Sequence, residues 1–266
     1  MEVRFFDNSL KELSDEINLS QQRSFLYGDG HFTTAKVVDG SVCYLDRHLE
    51  RLRQANKQLG FNPIVWNKLT ELMLQVASDM TLGVIKIQIS RGAAQRGYGQ
   101  TFSTQPLIAV STSSLSDKWL SEQQTPTPLT VANTKLGIQP LLAGLKHCNR
   151  LEQVLIAREL EQVNLEDALV LDINNVLIET SKANVFWYHN NQWFTPCLKH
   201  SGVNGVMRQV IIDKIDVIIS QTQMTTVIED AEAMFICNGL IGVRPVSEVA
   251  GKQLSLKPVE QLRAQL

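Results

Sequence analysis

Ala143-Gly144-Leu145-Lys146-His147-Cys148-Asn149-Arg150-Leu151 is the stretch on which the reading of this chain turns. It gathers an amine, an imidazole, a thiol, an amide and a guanidinium just ahead of a patterned helix. The spacing Asn149-x-x-Glu152 resembles a capping box and predicts that a helix opens here and runs to about Gln162. A lysine at such a point is most often a plain surface charge. A lysine that forms a Schiff base needs a lowered pKa or a neighbouring cation, so that the free amine is available. His147 and Arg150 stand beside Lys146 in sequence, which leaves both readings open.

Outward from this segment the chain mixes strands and helices. Residues 33–38 and 41–45 flank Asp39-Gly40, a pair suited to a type I′ turn, and predict a β-hairpin. A helix is expected from about Asp46, a capping residue, to about Gly60, a stop, with Leu49, Leu52 and Leu59 on one side. A further helix is expected over 63–80. Within 84–90, Ile85, Ile87 and Ile89 alternate with Lys86, Gln88 and Ser90, the period of a strand; 107–110 is another. Residues 111–128 are rich in Ser, Thr, Gln and Pro, and this break places a linker at 113–128 between domains 1–112 and 129–266. In the second domain, 168–171 and 176–178 read as strands around Asn174-Asn175, and 184–188 and 192–194 as strands around Asn190-Asn191. Residues 205–219 read as a helix and 233–237 as a buried strand. The fold class is α/β (α+β) in two domains, without internal repeats.

Composition narrows the function. The 266 residues are 44% hydrophobic and 20% charged with a formal net charge of -2, values of an ordinary soluble globular protein that give no support to nucleic-acid binding. No apolar run has the length of a membrane span or of a signal-peptide core, so a cytoplasmic protein without membrane contact is expected. Cys43, Cys148, Cys197 and Cys237 form no C-x-x-C pair, and the histidines show no H-x-x-x-H spacing, so reduced thiols and no metal site are expected. The outer glycines Gly92 and Gly97 mimic a P-loop, but Tyr98-Gly99 stands where Lys and Ser/Thr would be needed. Gly28-Asp29-Gly30 lacks the third glycine of a dinucleotide fingerprint. There is no G-x-S-x-G elbow.

Two more segments are dense in polar groups. Glu179 follows an apolar run, where a carboxylate is either a strand end in solvent or a partner for a cation such as a protonated ring nitrogen. Gly202-Val203-Asn204-Gly205-Val206-Met207-Arg208 leads into a helix, whose first N–H groups either take an ordinary cap or bind an anion such as phosphate. Cys237-Asn238-Gly239-Leu240 offers a second set of backbone donors or a simple turn.

Taken in order, Gly28 to Ala35, Gly144 to Leu155 and Gly202 to Gln209 resemble the fold-type IV pyridoxal-phosphate enzymes, a family that includes branched-chain and D-amino-acid aminotransferases. The resemblance runs from Tyr27 to Val246. It implies a smaller N-terminal α/β domain and a larger C-terminal pseudo-barrel domain that binds pyridoxal 5′-phosphate. It also implies that Lys146 carries the cofactor, that Glu179 pairs with the pyridine nitrogen, and that Arg51 with the backbone of Val206 and Met207 holds the phosphate, the segment around Asn238 and Gly239 completing that end. Many aminotransferase relatives have a threonine near Gly239; the glycine here offers no hydroxyl. Branched-chain aminotransferases carry Glu-Gly where this chain has Thr33-Thr34, and in this respect the chain is similar to the family's lyases acting on 4-amino-4-deoxychorismate.

In those lyases the threonine matching Thr34 is implicated in proton delivery, and Arg96 and Tyr98 fall on a loop that helps form the substrate pocket, where an arginine can bind a carboxylate bidentately. The implied reaction releases p-aminobenzoate and pyruvate for folate synthesis, on a substrate supplied by aminodeoxychorismate synthase. Relatives in the family are homodimers, and the same is expected here. Two alternatives stay open: an aminotransferase for D- or branched-chain amino acids with the same lysine, and a silent cofactor-binding relative.

Overall fold

The computed structural model describes residues 2–13, 17–93, 97–99 and 105–266, and the chain divides into two compact units. The first comprises Met1–Ser116 with Lys146–Asn149, the second Asp117–Leu145 with Arg150–Leu266. The division at Ser116 falls inside the stretch expected as a linker, and that stretch also holds the first helix of the second unit.

The first unit runs β1 (Glu2–Phe6), α1 (Arg23–Tyr27), β2 (Gly30–Val38), β3 (Ser41–Val42), α2 (Leu45–Gln58), α3 (Trp66–Ala77), β4 (Leu82–Ser90) and β5 (Leu107–Ser114). Its sheet has the order β1-β5-β4-β2-β3, antiparallel throughout. The β2–β3 turn has positive φ at both Asp39 and Gly40, as the Asp-Gly pair predicts. Alternation decides the faces. Ala35 and Val37 of β2 and Ile85, Ile87 and Ile89 of β4 point to one side, where Leu49 and Leu52 of α2 and Leu69 and Met73 of α3 close a core. The α2 helix starts earlier than expected: Tyr44 is its N-cap, in a left-handed conformation with no side-chain cap bond, and Asp46 lies in the first turn, where its charge still favours the helix dipole.

The second unit runs α4 (Asp117–Gln124), β6 (Thr127–Val131), α5 (Leu151–Gln162), β7 (Ala168–Leu171), β8 (Leu177–Thr180), β9 (Asn184–His189), β10 (Gln192–Pro196), α6 (Val206–Lys214), β11 (Val217–Ser220), α7 (Met224–Asp230), β12 (Ala233–Asn238), β13 (Gly242–Val249), β14 (Lys252–Gln253) and α8 (Lys257–Arg263). The strand path is β11-β10-β9-β12-β13-β6-β7-β8 with β14 on β13. The sheet curls until β8, at its end, comes beside β9, forming the expected pseudo-barrel. β7 and the first five residues of β12 are buried on both faces, which explains their continuous apolar runs. Met234 and Ile236 of β12 join a core with Val227 of α7, while Phe235 and Cys237 pack with Met207 and Ile211 of α6.

Two expectations are corrected here. Asn149 does not cap α5; Arg150 is the N-cap without a side-chain bond, and Glu152 instead accepts the Gly137 N–H at 2.7 Å. The helix read over 205–219 ends at Lys214, because Val217–Ser220 pairs in parallel with β10. No described helix is long and apolar enough to cross a membrane.

Candidate active site

Lys146 lies in the four residues that group with the first unit although the chain on both sides belongs to the second. The sheet edge explains this. β3 pairs only with Val37 and Val38, so the start of β2 has an open edge, and residues 146–148 fill it as a short antiparallel strand. The Phe32 N–H donates to the Lys146 carbonyl at 2.9 Å, the Cys148 N–H donates to the Gly30 carbonyl at 2.8 Å, and His31 stands opposite His147. Only glycine fits at position 30, where a Cβ would meet the Ile89 carbonyl at 2.8 Å and Cys148 Sγ at 3.0 Å.

Residues paired across antiparallel strands share a face. Lys146 therefore emerges beside Phe32, with Nζ 4.9 Å from the ring centroid. Phe32 and Thr34 are half-buried on the face away from the α2–α3 core, so Thr34 shares the face of Lys146. Lys86, directly opposite Thr34 in register, adds a second ammonium 5.0 Å from the same ring. The strand alternation at 84–90 displayed Lys86 without indicating that it would face Thr34.

The other face of β2 is locked. Thr33 Oγ1 lies 2.6 Å from His48 Nδ1, and His31 Nε2 lies 3.0 Å from Asn56 Oδ1. Burial pushes the His48 pKa down to about 3, with nearby Arg51 adding to the effect, and the His31 pKa down to about 4. Both rings are neutral at pH 7. Arg51 sits one turn beyond His48 on α2; burial lowers its pKa to about 10, so it still carries its charge. Tyr98 is 82% exposed with its ring edge-on to Tyr27 at 5.1 Å. Arg96 lies outside the described residues.

A second group of site residues gathers in the second unit around residues 202–205. Gly144 N–H donates to the Gly202 carbonyl at 2.9 Å and Asn204 N–H donates to the Gly144 carbonyl at 3.0 Å, which fixes the chain two residues before Lys146. Between them, Val203 N–H donates to Glu179 Oε2 at 2.8 Å and sets the direction of a carboxyl group only 6% exposed. Asn184 Oδ1 accepts the Gly205 N–H at 3.1 Å while its Nδ2 donates to the Val203 carbonyl at 2.8 Å. α6 then opens at Gly205 with no side-chain cap, at Val206 and Met207, which are 2% and 5% exposed. A buried helix start without a side-chain cap suits an anion.

Asn184 pairs in register with Cys237, which brings the end of β12 to the same place. There the Asn238 side chain shapes its own turn: Oδ1 accepts from Leu240 and Ile241 N–H at 2.9 and 3.0 Å, and Nδ2 donates to the Lys182 carbonyl at 3.2 Å. Gly239 lies in that turn.

Each unit carries groups whose chemistry fits pyridoxal phosphate: the first has a primary amine for an aldehyde and a guanidinium for an anion, the second a helix start for a phosphate and a buried carboxyl group for a cationic ring nitrogen. The chain belongs to the amino-transferase class IV family, whose model matches residues 30–249. Within that family it is similar to the aminodeoxychorismate lyase of Vibrio harveyi, 36% identical over 250 residues and 92% of each chain. Among solved structures, the 4-amino-4-deoxychorismate lyase from Pseudomonas aeruginosa matches with a TM-score of 0.85 and 29% identity, over 96% of this chain and 97% of that one. The branched-chain amino acid aminotransferase of Escherichia coli shares the fold, with a TM-score of 0.82 at 17% identity over 98% of this chain and 92% of that one.

Proposed function

We propose that this chain is a pyridoxal-phosphate lyase that converts 4-amino-4-deoxychorismate to p-aminobenzoate and pyruvate. The observation that carries the reading is the sheet face shared by Lys146 and Thr34, in a chain 36% identical to a lyase of that name. Pyridoxal phosphate, when bound, supplies a ring that takes up negative charge from the carbon bearing the substrate's amine.

The protein's groups do the rest. Arg51 and the N–H groups of Val206 and Met207 would hold the phosphate, and the Asn238–Gly239 turn would complete that end. Glu179 would face the ring nitrogen and favour its protonated form. Lys146 would hold the cofactor's aldehyde through its amine, and the same Nζ, when free, would be the base that removes the substrate's C4 proton. The C3–O bond then breaks and the six-membered ring becomes aromatic. Thr34 delivers a proton to the methylene carbon of the departing enolpyruvate, giving pyruvate, so the proton lost at C4 is balanced by the one gained there. Arg96 and Tyr98 bind substrate carboxylate.

In a cell the substrate comes from aminodeoxychorismate synthase, and the product enters folate synthesis. A cytoplasmic location is supported by four free thiols. A homodimer is supported by the exposed apolar residues Leu151, Val154 and Leu155 on α5. Replacing Lys146 with Ala removes both anchor and base, so p-aminobenzoate release falls by at least roughly a thousandfold. Substantial residual release from that variant would overturn the assignment.

A further inference from the structure

Asp29, in the turn between α1 and β2, holds two arginines at once. Its Oδ2 accepts from Arg23 Nε at 2.7 Å and from Arg91 Nε at 2.8 Å, and both guanidinium side chains are nearly buried. Burial alone would raise the Asp29 pKa, but the hydrogen bonds from Arg91 and Arg23 outweigh it and keep the carboxylate below its ordinary range. The two arginines then diverge. Arg91 donates through Nη1 and Nη2 to the carbonyls of Gly60 and Leu59, which close the end of α2. Arg23 donates through Nη2 to the Tyr98 carbonyl at 2.9 Å and through Nη1 to the Gly99 carbonyl at 3.1 Å.

The outer side of the cluster is aromatic. The Arg23 guanidinium lies over the Tyr27 ring, 5.2 Å from its centroid, and Tyr98 meets that ring edge-on. Tyr98 is 82% exposed, so side-chain packing contributes little to fixing it. The rigid fork of Arg23 on two successive carbonyls does that work. Tyr27 in turn precedes Gly28, whose carbonyl accepts from Asn149 Nδ2 at 3.3 Å, three residues beyond Lys146.

We propose that Arg23 is a positioning residue of the substrate site, which, anchored on Asp29, holds the Tyr98–Gly99 backbone and so directs the Tyr98 phenol toward the substrate's carboxylate. The proposal rests on Tyr98 being a substrate contact in the reading above. A lysine at position 23 keeps a charge for Asp29 but cannot fork onto two carbonyls.

Two measurements on the cofactor-loaded protein test it. Chymotrypsin cleavage after Tyr98, followed by mass spectrometry, is expected to rise about tenfold in Arg23→Lys as the backbone loses its anchor. The KM for 4-amino-4-deoxychorismate rises about tenfold with kcat within about twofold, the pattern of lost uniform binding. In a Tyr98→Ala background the same Arg23→Lys change leaves KM unaltered. Asp29→Asn, which retains an acceptor for both arginines, shifts cleavage and KM in the same direction by less, and it decides the matter should Arg23→Lys unfold. Unchanged cleavage and KM in the folded variants, or an equal KM effect with and without the Tyr98 ring, overturns the proposal. If the wild-type protein does not turn over the substrate, the lyase reading falls, while the cleavage rates still decide whether Arg23 anchors this backbone.

Discussion

Gly205 is the residue at which fold and site depend most directly on a missing side chain. Its φ of −62° and ψ of 145° are open to any amino acid, so conformational freedom is not the reason for glycine. Space is the reason: a Cβ there would lie 2.0 Å from Asn184 Oδ1 and 3.2 Å from its Cγ. Asn184 is 5% exposed and cannot swing into solvent. Moving its amide breaks the bond from Gly205 N–H and the bond to the Val203 carbonyl, and strands buried polar groups. At about 1–2 kcal/mol for each, Gly205→Ala should destabilise the protein by about 2–4 kcal/mol. It also shifts the start of α6, so the affinity for pyridoxal phosphate should fall with it. Urea unfolding measures the first effect and cofactor titration the second. The decisive control is Asn184→Ala, which removes the obstruction: adding Gly205→Ala to it should cost less than about 0.5 kcal/mol more. Strict additivity, or a Gly205→Ala variant as stable as the parent, would refute the steric argument.

Acid should weaken the fold through the two buried imidazoles. The pKa values of His31 and His48 are lowered to about 4 and about 3, so the unfolded chain takes up their protons first. Stability present above pH 6.5 is then lost as pH falls, by about 2 kcal/mol for each ring at pH 5. Denaturant midpoints at pH 7, 6 and 5 should reveal this, and His48→Gln should roughly halve the slope; a flat profile would contradict it. Thr34→Val preserves shape but removes the hydroxyl, and kcat should drop about a hundredfold with little change in KM. An unaltered kcat would remove Thr34 from proton delivery.

Much of the architecture was legible because local patterns and tertiary packing agree. The Ile85–Ile87–Ile89 alternation, the Asp39-Gly40 turn and the Asn190-Asn191 turn, with positive φ at both asparagines, each carry their structure in a few residues. What was not legible depends on distant partners. Asn149 has the local form of a cap, but its side chain bonds Gly28, 121 positions away, because residues 146–148 complete the edge of β2. The run from Val210 to Ile219 suits helix or strand alike, and pairing with β10 decides for strand beyond Asp216.

The same division holds for the site. Lys146, Glu179 and the segment Gly202–Gly205 ahead of α6 are visible in the sequence as candidates, each beside an apolar run and each with a plain structural alternative. The position of Lys86 opposite Thr34, and the grip of Arg23 on the backbone at Tyr98, emerge only once strands and loops have met.

The central claim is tested most directly by supplying the purified, cofactor-loaded protein with enzymatically generated 4-amino-4-deoxychorismate and following both products in one reaction. The account predicts p-aminobenzoate and pyruvate in equal amounts, dependent on pyridoxal phosphate. Neither product from a protein with cofactor bound, or conversion of that cofactor to its pyridoxamine form by D-alanine or a branched-chain amino acid instead, would contradict it.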